Sequence, residues 1–236
     1  MIEGFPGLID RKNEAIWKEI SARYNIKVAS VSSDEHSVFS KGDDINFFVP
    51  HGASNPDTFT HEILHVYLRS KGILIGANLT KTIAGSQVMS RLLTPGLVEQ
   101  VGNILDHIKM YPIYEQMGCD PEKFILDYHK YKCEPNEMKL IQQHFKVKGS
   151  YNSIAVDAFI GRYFSIKGDF NKNFDYSDCL KKLEKIDGKL FEVLELFHDE
   201  WVDFDINEDD PDYTYKHVVS NFYDDMKEWI TGKEFL

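Results

Sequence analysis

Residues 54–72, SNPDTFTHEILHVYLRSKG, carry start and stop signals for one amphipathic helix, and no other feature constrains the fold of this 236-residue chain as strongly. Ser54 or Asn55 can cap the first turn, and Pro56 suits the first helical position. Gly72 is well placed to end the helix. The apolar residues that predict burial of this helix are Phe59, Ile63, Leu64, Val66 and Leu68.

The segments before this helix predict a second helix and two strands. Residues 10–24 have apolar positions near helical spacing. Residues 25–32 and 43–50 are rich in β-branched and aromatic residues and flank a polar stretch that contains glycine, which is typical of two strands. After Leu92 almost every segment predicts helix. These segments are 95–110, 121–131, 135–145, 151–166, 177–200 with a break near Gly188, and 214–230. The expected fold class is therefore α+β, with an α+β region in the N-terminal part of the chain and a mostly helical C-terminal part.

We expect a core region over residues 1–112 and a helical, acidic extension over residues 113–236, packed on that core. The net charge of the chain is −11, and the part after Cys119 carries 25 acidic and only 16 basic residues. Such a field repels phosphates, so the charge argues against a nucleic-acid partner. The acidic stretch 199–212 lacks the glycine of a calcium-binding EF-hand loop, and we expect it to be a solvated loop.

The cysteines and the hydropathy pattern favour a cytoplasmic protein without a membrane segment. Cys119, Cys133 and Cys179 are an odd number at spacings that suggest neither a metal site nor a disulfide, which is typical of a reducing compartment. The first fourteen residues are charged and have no apolar run, and no stretch approaches the length of a membrane span.

Residues 61–65 within the predicted helix form an H-E-x-x-H pattern. Side chains four residues apart lie on one face of a helix, so His61 and His65 can bind one metal ion. Glu62 lies beside them, where a carboxylate can take a proton from a water that the ion activates. Zn²⁺ suits two imidazoles and a further ligand. The alternative is a surface helix with two solvated histidines.

A third ligand is expected on the apolar helix at residues 97–112, LVEQVGNILDHIKMYP. Its polar residues recur on one stripe, and Gly102 beside them allows close backbone approach. The candidates on this stripe are Glu99, Asn103, Asp106 and His107. The same stripe is also compatible with a face that simply contacts water.

These two helices resemble those of the minimal gluzincins of the ImmA/IrrE family of bacterial regulatory peptidases. INFFVPHGASNPDTFTHEILH resembles the strand, loop and active-site helix of that family, and EQVGNILDHIKMYP resembles its third-ligand helix, closed by Pro112. The resemblance implies a zincin-like catalytic region. It implies His61, His65 and Glu99 as zinc ligands, Glu62 as general base and Asn103 as an orienting group. Asp106 and His107 have no counterpart in the family, and either can replace Glu99 as the third ligand.

The predicted function is a zinc-dependent metallopeptidase of narrow specificity that acts on a peptide or protein substrate. The alternative is an interaction or sensor module with a structural or vestigial zinc site, and a metal hydrolase of a non-peptide substrate shares the same ligands. Strand 45–49 is the expected edge to which an extended peptide adds. His51 is a candidate for the rim of the site. The candidates for stabilising the oxyanion are Tyr67, Tyr111, Tyr114 and His107.

Overall fold

A computed structural model describes residues 2, 4–208, 210 and 213–236 of the chain. Within these residues the fold is α+β, with ten α-helices and a small mixed sheet, which confirms the predicted fold class. The chain divides into two compact units, and each is built from two separate segments. The division passes through one long helix, α5, at residues 108 and 109, so the boundary expected at residue 112 lies inside that helix.

The first unit comprises Met1–Ile73 and Lys109–Tyr128. Its complete elements are α1 (Glu14–Arg23), β1 (Asn25–Val31), β2 (Ser37–Lys41), β3 (Asp44–Pro50) and α2 (Pro56–Ser70). The end of α5 (Pro95–Gln116) and a 3-10 turn at Pro121–Lys123 complete it. The helix and strands predicted for the first fifty residues are therefore present, together with β2, which lies in the stretch interpreted as a polar connection.

The three strands are ordered β1, β3, β2, so β3 is the central strand. It runs parallel to β1 and antiparallel to β2. The prediction that strand 45–49 forms an edge is wrong, because β2 pairs along it and leaves β1 and β2 as the outer strands. The alternating SVFSK sequence of β2 is only five residues long and half polar, which makes such a strand hard to distinguish from a loop.

Helix α2 packs one face on this sheet. Phe59, Ile63 and Val66, three to four residues apart, are buried together with Ile45 and Phe47 of β3. The side chain of Asn55 caps the helix by accepting hydrogen bonds from the backbone N–H groups of residues 57 and 58 at 2.8 and 3.4 Å. Gly72 has a φ of +79°, the left-handed conformation that ends helices. Both ends of α2 are therefore set by local sequence, as predicted.

The second unit comprises Leu74–Ile108 and His129–Leu236 and is almost entirely helical. Besides the start of α5, its elements are α3 (Ile75–Ala84), α4 (Met89–Leu92), α6 (Pro135–His144), α7 (Ser153–Lys167), α8 (Ser177–Ile186), α9 (Gly188–Asp203) and α10 (Tyr215–Ile230), with a short hairpin of β4 (Lys146–Val147) and β5 (Ser150–Tyr151). Its core contains both aliphatic and aromatic residues. The rings of Phe197 and Phe222 stack at 4.1 Å, and the buried Trp201 indole donates a 2.7 Å hydrogen bond to the Leu105 carbonyl.

Two predictions about helices are wrong, namely the end of α5 at Pro112 and the helix over residues 121–131. Pro112 does not end α5, which continues to Gln116. A proline inside a helix removes one backbone hydrogen bond, and the burial of Tyr114 beyond it favours continuation of the helix. The helix expected over 121–131 is reduced to the 3-10 turn, because Phe124 packs between side chains of α2 and α5 instead of following helical spacing.

Cys133 and Cys179 form a disulfide within the second unit, whereas Cys119 is a buried free thiol. The expectation that no cysteines pair is therefore wrong. The two residues are 46 positions apart, so their proximity results from tertiary folding and not from local spacing. Among the described residues, no helix is long and apolar enough to cross a membrane. Part of the predicted acidic loop, residues 209, 211 and 212, lies outside the described residues.

Candidate metal centre

His61 and His65 lie on the side of α2 opposite its sheet-packed face, and their imidazoles converge. Their Nε2 atoms are 3.2 Å apart, and both residues are partly buried. Two nitrogens that bind one tetrahedral zinc ion are separated by about 3.3 Å, since each Zn–N bond is about 2.05 Å long. The spacing of the pair is therefore already that of two ligands of one ion.

His107 completes a group of three imidazoles with this pair. The ligand nitrogens of His61, His65 and His107 all lie within 4.8 Å of one another. His107 lies in α5, two residues before Lys109, where the first unit resumes. The helix is uninterrupted at this boundary, and its next two turns belong to the first unit. It is 8% exposed, so a bound ion would be shielded from water on this side. Three histidines close together can bind a metal ion.

The structure does not bring Glu99 to this group. Glu99 is exposed and lies eight residues before His107 in α5, which is about 12 Å along the helix axis. Asn103, predicted to orient a ligand, is also exposed, and Asp106 is partly buried beside His107. The predicted polar stripe therefore faces water at its beginning and reaches the histidine pair only at its end.

Glu62 lies against the histidine pair in a largely buried position. Its side chain is 13% exposed, and its Oε1 is 4.0 Å from the Nε2 atom of His61. Burial raises the pKa of the Glu62 carboxyl to about 7; the nearby His65 opposes this shift, and the charge of Glu35 adds to it. A carboxyl with such a pKa can both accept and return a proton near neutral pH.

Phe124 forms an aromatic wall next to His61, which sequence reasoning missed because this residue was placed in a helix. Its ring centroid is 4.9 Å from that of His61 and 5.1 Å from that of Tyr111. Tyr111 lies one turn after His107 in α5, and burial raises the pKa of its phenol, so that the hydroxyl remains a proton donor at neutral pH.

The other residues predicted around the site have different surroundings. The Tyr114 hydroxyl donates to the Asp120 carbonyl at 3.1 Å, and the Tyr67 ring lies 4.8 Å from the Lys71 ammonium. Nδ1 of His51 is 2.6 Å from the Ser30 hydroxyl, at the end of β1 and β3. His51 does not belong to the metal-binding group identified among the described residues.

Asp57 connects α2 to the segment that carries Phe124, and sequence reasoning assigned it only to the first turn of the helix. One carboxylate oxygen pairs with Lys12, and the other accepts a 2.9 Å hydrogen bond from the backbone N–H of Asp120. Burial alone would raise the pKa of Asp57, but the Lys12 ammonium and the Asp120 N–H together hold it below its usual range.

Comparison of the chain with protein-family models, with curated proteins and with solved structures found no match. The class of site therefore follows from its own geometry. It is a three-histidine group with a buried carboxyl beside it, and it can hold a metal ion.

Proposed function

We propose that this chain is a zinc-dependent peptidase, in which His61, His65 and His107 hold the ion and Glu62 is the general base. The observation that carries this proposal is the proximity of the three imidazoles to one another, with the largely buried Glu62 carboxylate 4.0 Å from His61. The third ligand is thus an imidazole, and not the carboxylate implied by the resemblance to gluzincins. Three imidazoles are a known ligand set of catalytic zinc.

The number of ligands favours catalysis over a purely structural metal. Structural zinc sites are closed by four protein ligands, whereas catalytic sites keep one position for water or substrate. Among the described residues, the group contains three protein ligands. This count favours the peptidase over the alternative of a sensor module with a closed zinc site.

A bound zinc ion would supply Lewis acidity, which polarises a carbonyl and lowers the pKa of water. Glu62 would accept the proton of the attacking water and return it to the leaving amine, since its carboxylate lies 4.0 Å from the proposed ligand His61. Tyr111, with its hydroxyl protonated, would donate a hydrogen bond to the developing oxyanion. Phe124 would exclude water beside His61.

The substrate would add as an extended strand to the outer edge of β2. This edge takes the place of strand 45–49, whose two sides are already paired. β2 contacts α2, so a peptide on it would run past the helix that carries the two histidines.

The substitution Glu62→Gln tests the assignment of the general base. We expect the variant to retain one zinc ion per chain and to lose hydrolysis of a mixed peptide pool by about 10²-fold or more, because the amide cannot accept the proton. Peptide products are measured by mass spectrometry, and zinc by elemental analysis. Glu99→Gln, an exposed position on α5, is the control and should retain activity. Full activity of Glu62→Gln would show that the base is wrongly assigned.

A further inference from the structure

The chain passes from the first unit to the second within a mostly exposed loop, residues 125–131, that contains neither helix nor strand. Before the loop, the ring of Phe124 packs on Tyr114 within the first unit, with centroids 4.9 Å apart. After the loop, Cys133 is bonded to Cys179 of α8 within the second unit. The loop is therefore anchored at both ends, and the second anchor is a covalent bond that thiols can break.

Non-covalent contacts beside the disulfide join the same two segments. The ring of Tyr131 stacks on that of Tyr176 at 4.7 Å, and its hydroxyl donates to the Asp175 carbonyl at 3.0 Å. The backbone N–H of Lys132 donates to the Tyr176 hydroxyl at 3.0 Å. These contacts do not require the S–S bond, so they would keep the two sulfurs close after its reduction. Such proximity favours the bond's re-formation.

The surroundings of Cys179 favour its thiolate form. It is the third residue of α8, in a first turn whose backbone N–H groups carry partial positive charge and which receives no side-chain cap from Tyr176. The Tyr131 hydroxyl lies 3.6 Å from its Sγ atom, close enough to donate to a thiolate. The carboxylate of Asp178 opposes this effect, but it is exposed and screened by water. A stabilised thiolate leaves readily and makes a disulfide easier to reduce.

We infer that the Cys133–Cys179 disulfide is a reversible redox switch that controls the mobility of loop 125–131. Two cellular thiols would supply two electrons and two protons. The S–S bond breaks, two S–H bonds form, and the donor thiols are released as a disulfide of their own. In the reduced state only the contacts of Tyr131 and Lys132 hold this end of the loop, so it opens more often.

The consequence for activity rests on the proposed peptidase function. Phe124 directly precedes the loop and forms the aromatic wall beside His61. A more mobile loop would let this wall move away more often and admit water, so hydrolysis would be several-fold slower in the reduced protein. Zinc affinity would change little, because His61, His65 and His107 lie outside the loop.

The test is limited cleavage of the zinc-free protein by trypsin, after equilibration in buffers of oxidised or reduced glutathione. Alkylation of free thiols and mass spectrometry measure how much of the disulfide is open. Lys130 is exposed within the loop, and cleavage there should be about tenfold faster in the reduced state, since cleavage follows the population of the open form. Return to oxidised glutathione should restore the slow rate. Cleavage at Lys18 of α1 is the internal reference and should be equal in both buffers.

The double substitution Cys133→Ser and Cys179→Ser should give the fast rate in both buffers. Cys119→Ser is the matched control, because it removes the buried free thiol of the first unit and should retain the response to glutathione. Should the double variant fail to fold, the reversible response of the wild type decides the question.

The outcomes separate the two proposals. A bond that stays closed in reduced glutathione, or cleavage at Lys130 that is equal in the open and closed states, would overturn the switch. Hydrolysis of a peptide pool is measured in the same two states with zinc added. A loop that responds to glutathione without hydrolysis in either state would overturn the proposed function and leave the switch intact. Hydrolysis at equal rates in both states, with a loop that responds, would overturn the effect of the switch on activity.

Discussion

At the scale of single residues, Asp57 shows how one side chain can fix the position of a site without belonging to it. It lies in the first turn of α2, where a negative charge is favourable to the helix. The same carboxylate pairs with Lys12 and accepts the backbone N–H of Asp120, four residues before Phe124. The Asp57 carboxylate thus connects the start of α2 to the segment that leads to Phe124.

The substitution Asp57→Asn should therefore destabilise the protein in a pH-dependent way. At pH 7 we expect a loss of about 1–3 kcal/mol in the free energy of unfolding, since a hydrogen-bonded buried charge pair is broken. The pKa of Asp57 is depressed in the folded state, so its stabilising effect is present above the pKa of about 3.9 in the unfolded chain and is lost as the pH falls through the folded value.

Urea unfolding at several pH values measures this difference. The gap between wild type and Asp57→Asn should be largest near neutral pH and should close below about pH 4. Glu14→Gln, which removes a carboxylate from an exposed pair in the same unit, should lower the free energy of unfolding by less than Asp57→Asn does. A gap of constant size from pH 7 to pH 3 would exclude the charge of Asp57 as its source.

At the scale of elements, α5 combines a packing contact with the third imidazole. Gly102 lies against Gly76 of α3, and a Cβ atom on Gly102 would be only 2.7 Å from the Gly76 Cα atom. The close backbone approach predicted for Gly102 therefore exists, but its partner is another helix of the second unit. Five residues further on, the same helix presents His107.

The substitution Gly102→Ala should destabilise the second unit. Alanine favours a helix over glycine by up to about 1 kcal/mol, but the clash with the Gly76 backbone should outweigh this gain and lower stability by about 1–3 kcal/mol. Gly96→Ala in the first turn of α5 is the matched control, because a Cβ there has no atom within 4 Å. Thermal unfolding should show a lower midpoint for Gly102→Ala and an equal or higher one for Gly96→Ala. Equal midpoints for the two variants would show that α3 and α5 move apart to accept the added methyl group without a loss of stability.

Elements with local signals could be predicted from the sequence, and those fixed by distant contacts could not. The cap at Asn55 and the spacing of His61 and His65 are properties of a single helix, and both were predicted. Glu99 and His107 share one stripe of α5, so the choice between them depends on which turn of the helix comes close to the histidine pair, and tertiary packing decides this. The position of Phe124 depends on contacts with residues far away in the sequence, and helical patterning misplaced it.

At the scale of the whole molecule, the sequence indicated the fold class but not the division of the chain. A linear boundary was expected, whereas both units are built from two segments and share α5. The disulfide between Cys133 and Cys179 was missed for the same reason, since a separation of 46 residues contains no information about distance in space. The disulfide also removes the cysteine argument for a reducing compartment, and the cytoplasmic location stays a prediction.

The most direct test of the account is the affinity for zinc of the wild type, His107→Ala and Glu99→Ala, measured by competition with a chromophoric chelator. We expect one zinc ion per chain in the wild type and an unchanged affinity in Glu99→Ala. His107→Ala should bind zinc more weakly by about 100-fold or more, because even the loss of a group that only orients a ligand costs 10- to 100-fold. A wild type that binds no zinc, or an affinity lost with Glu99 and retained without His107, would contradict the three-histidine centre.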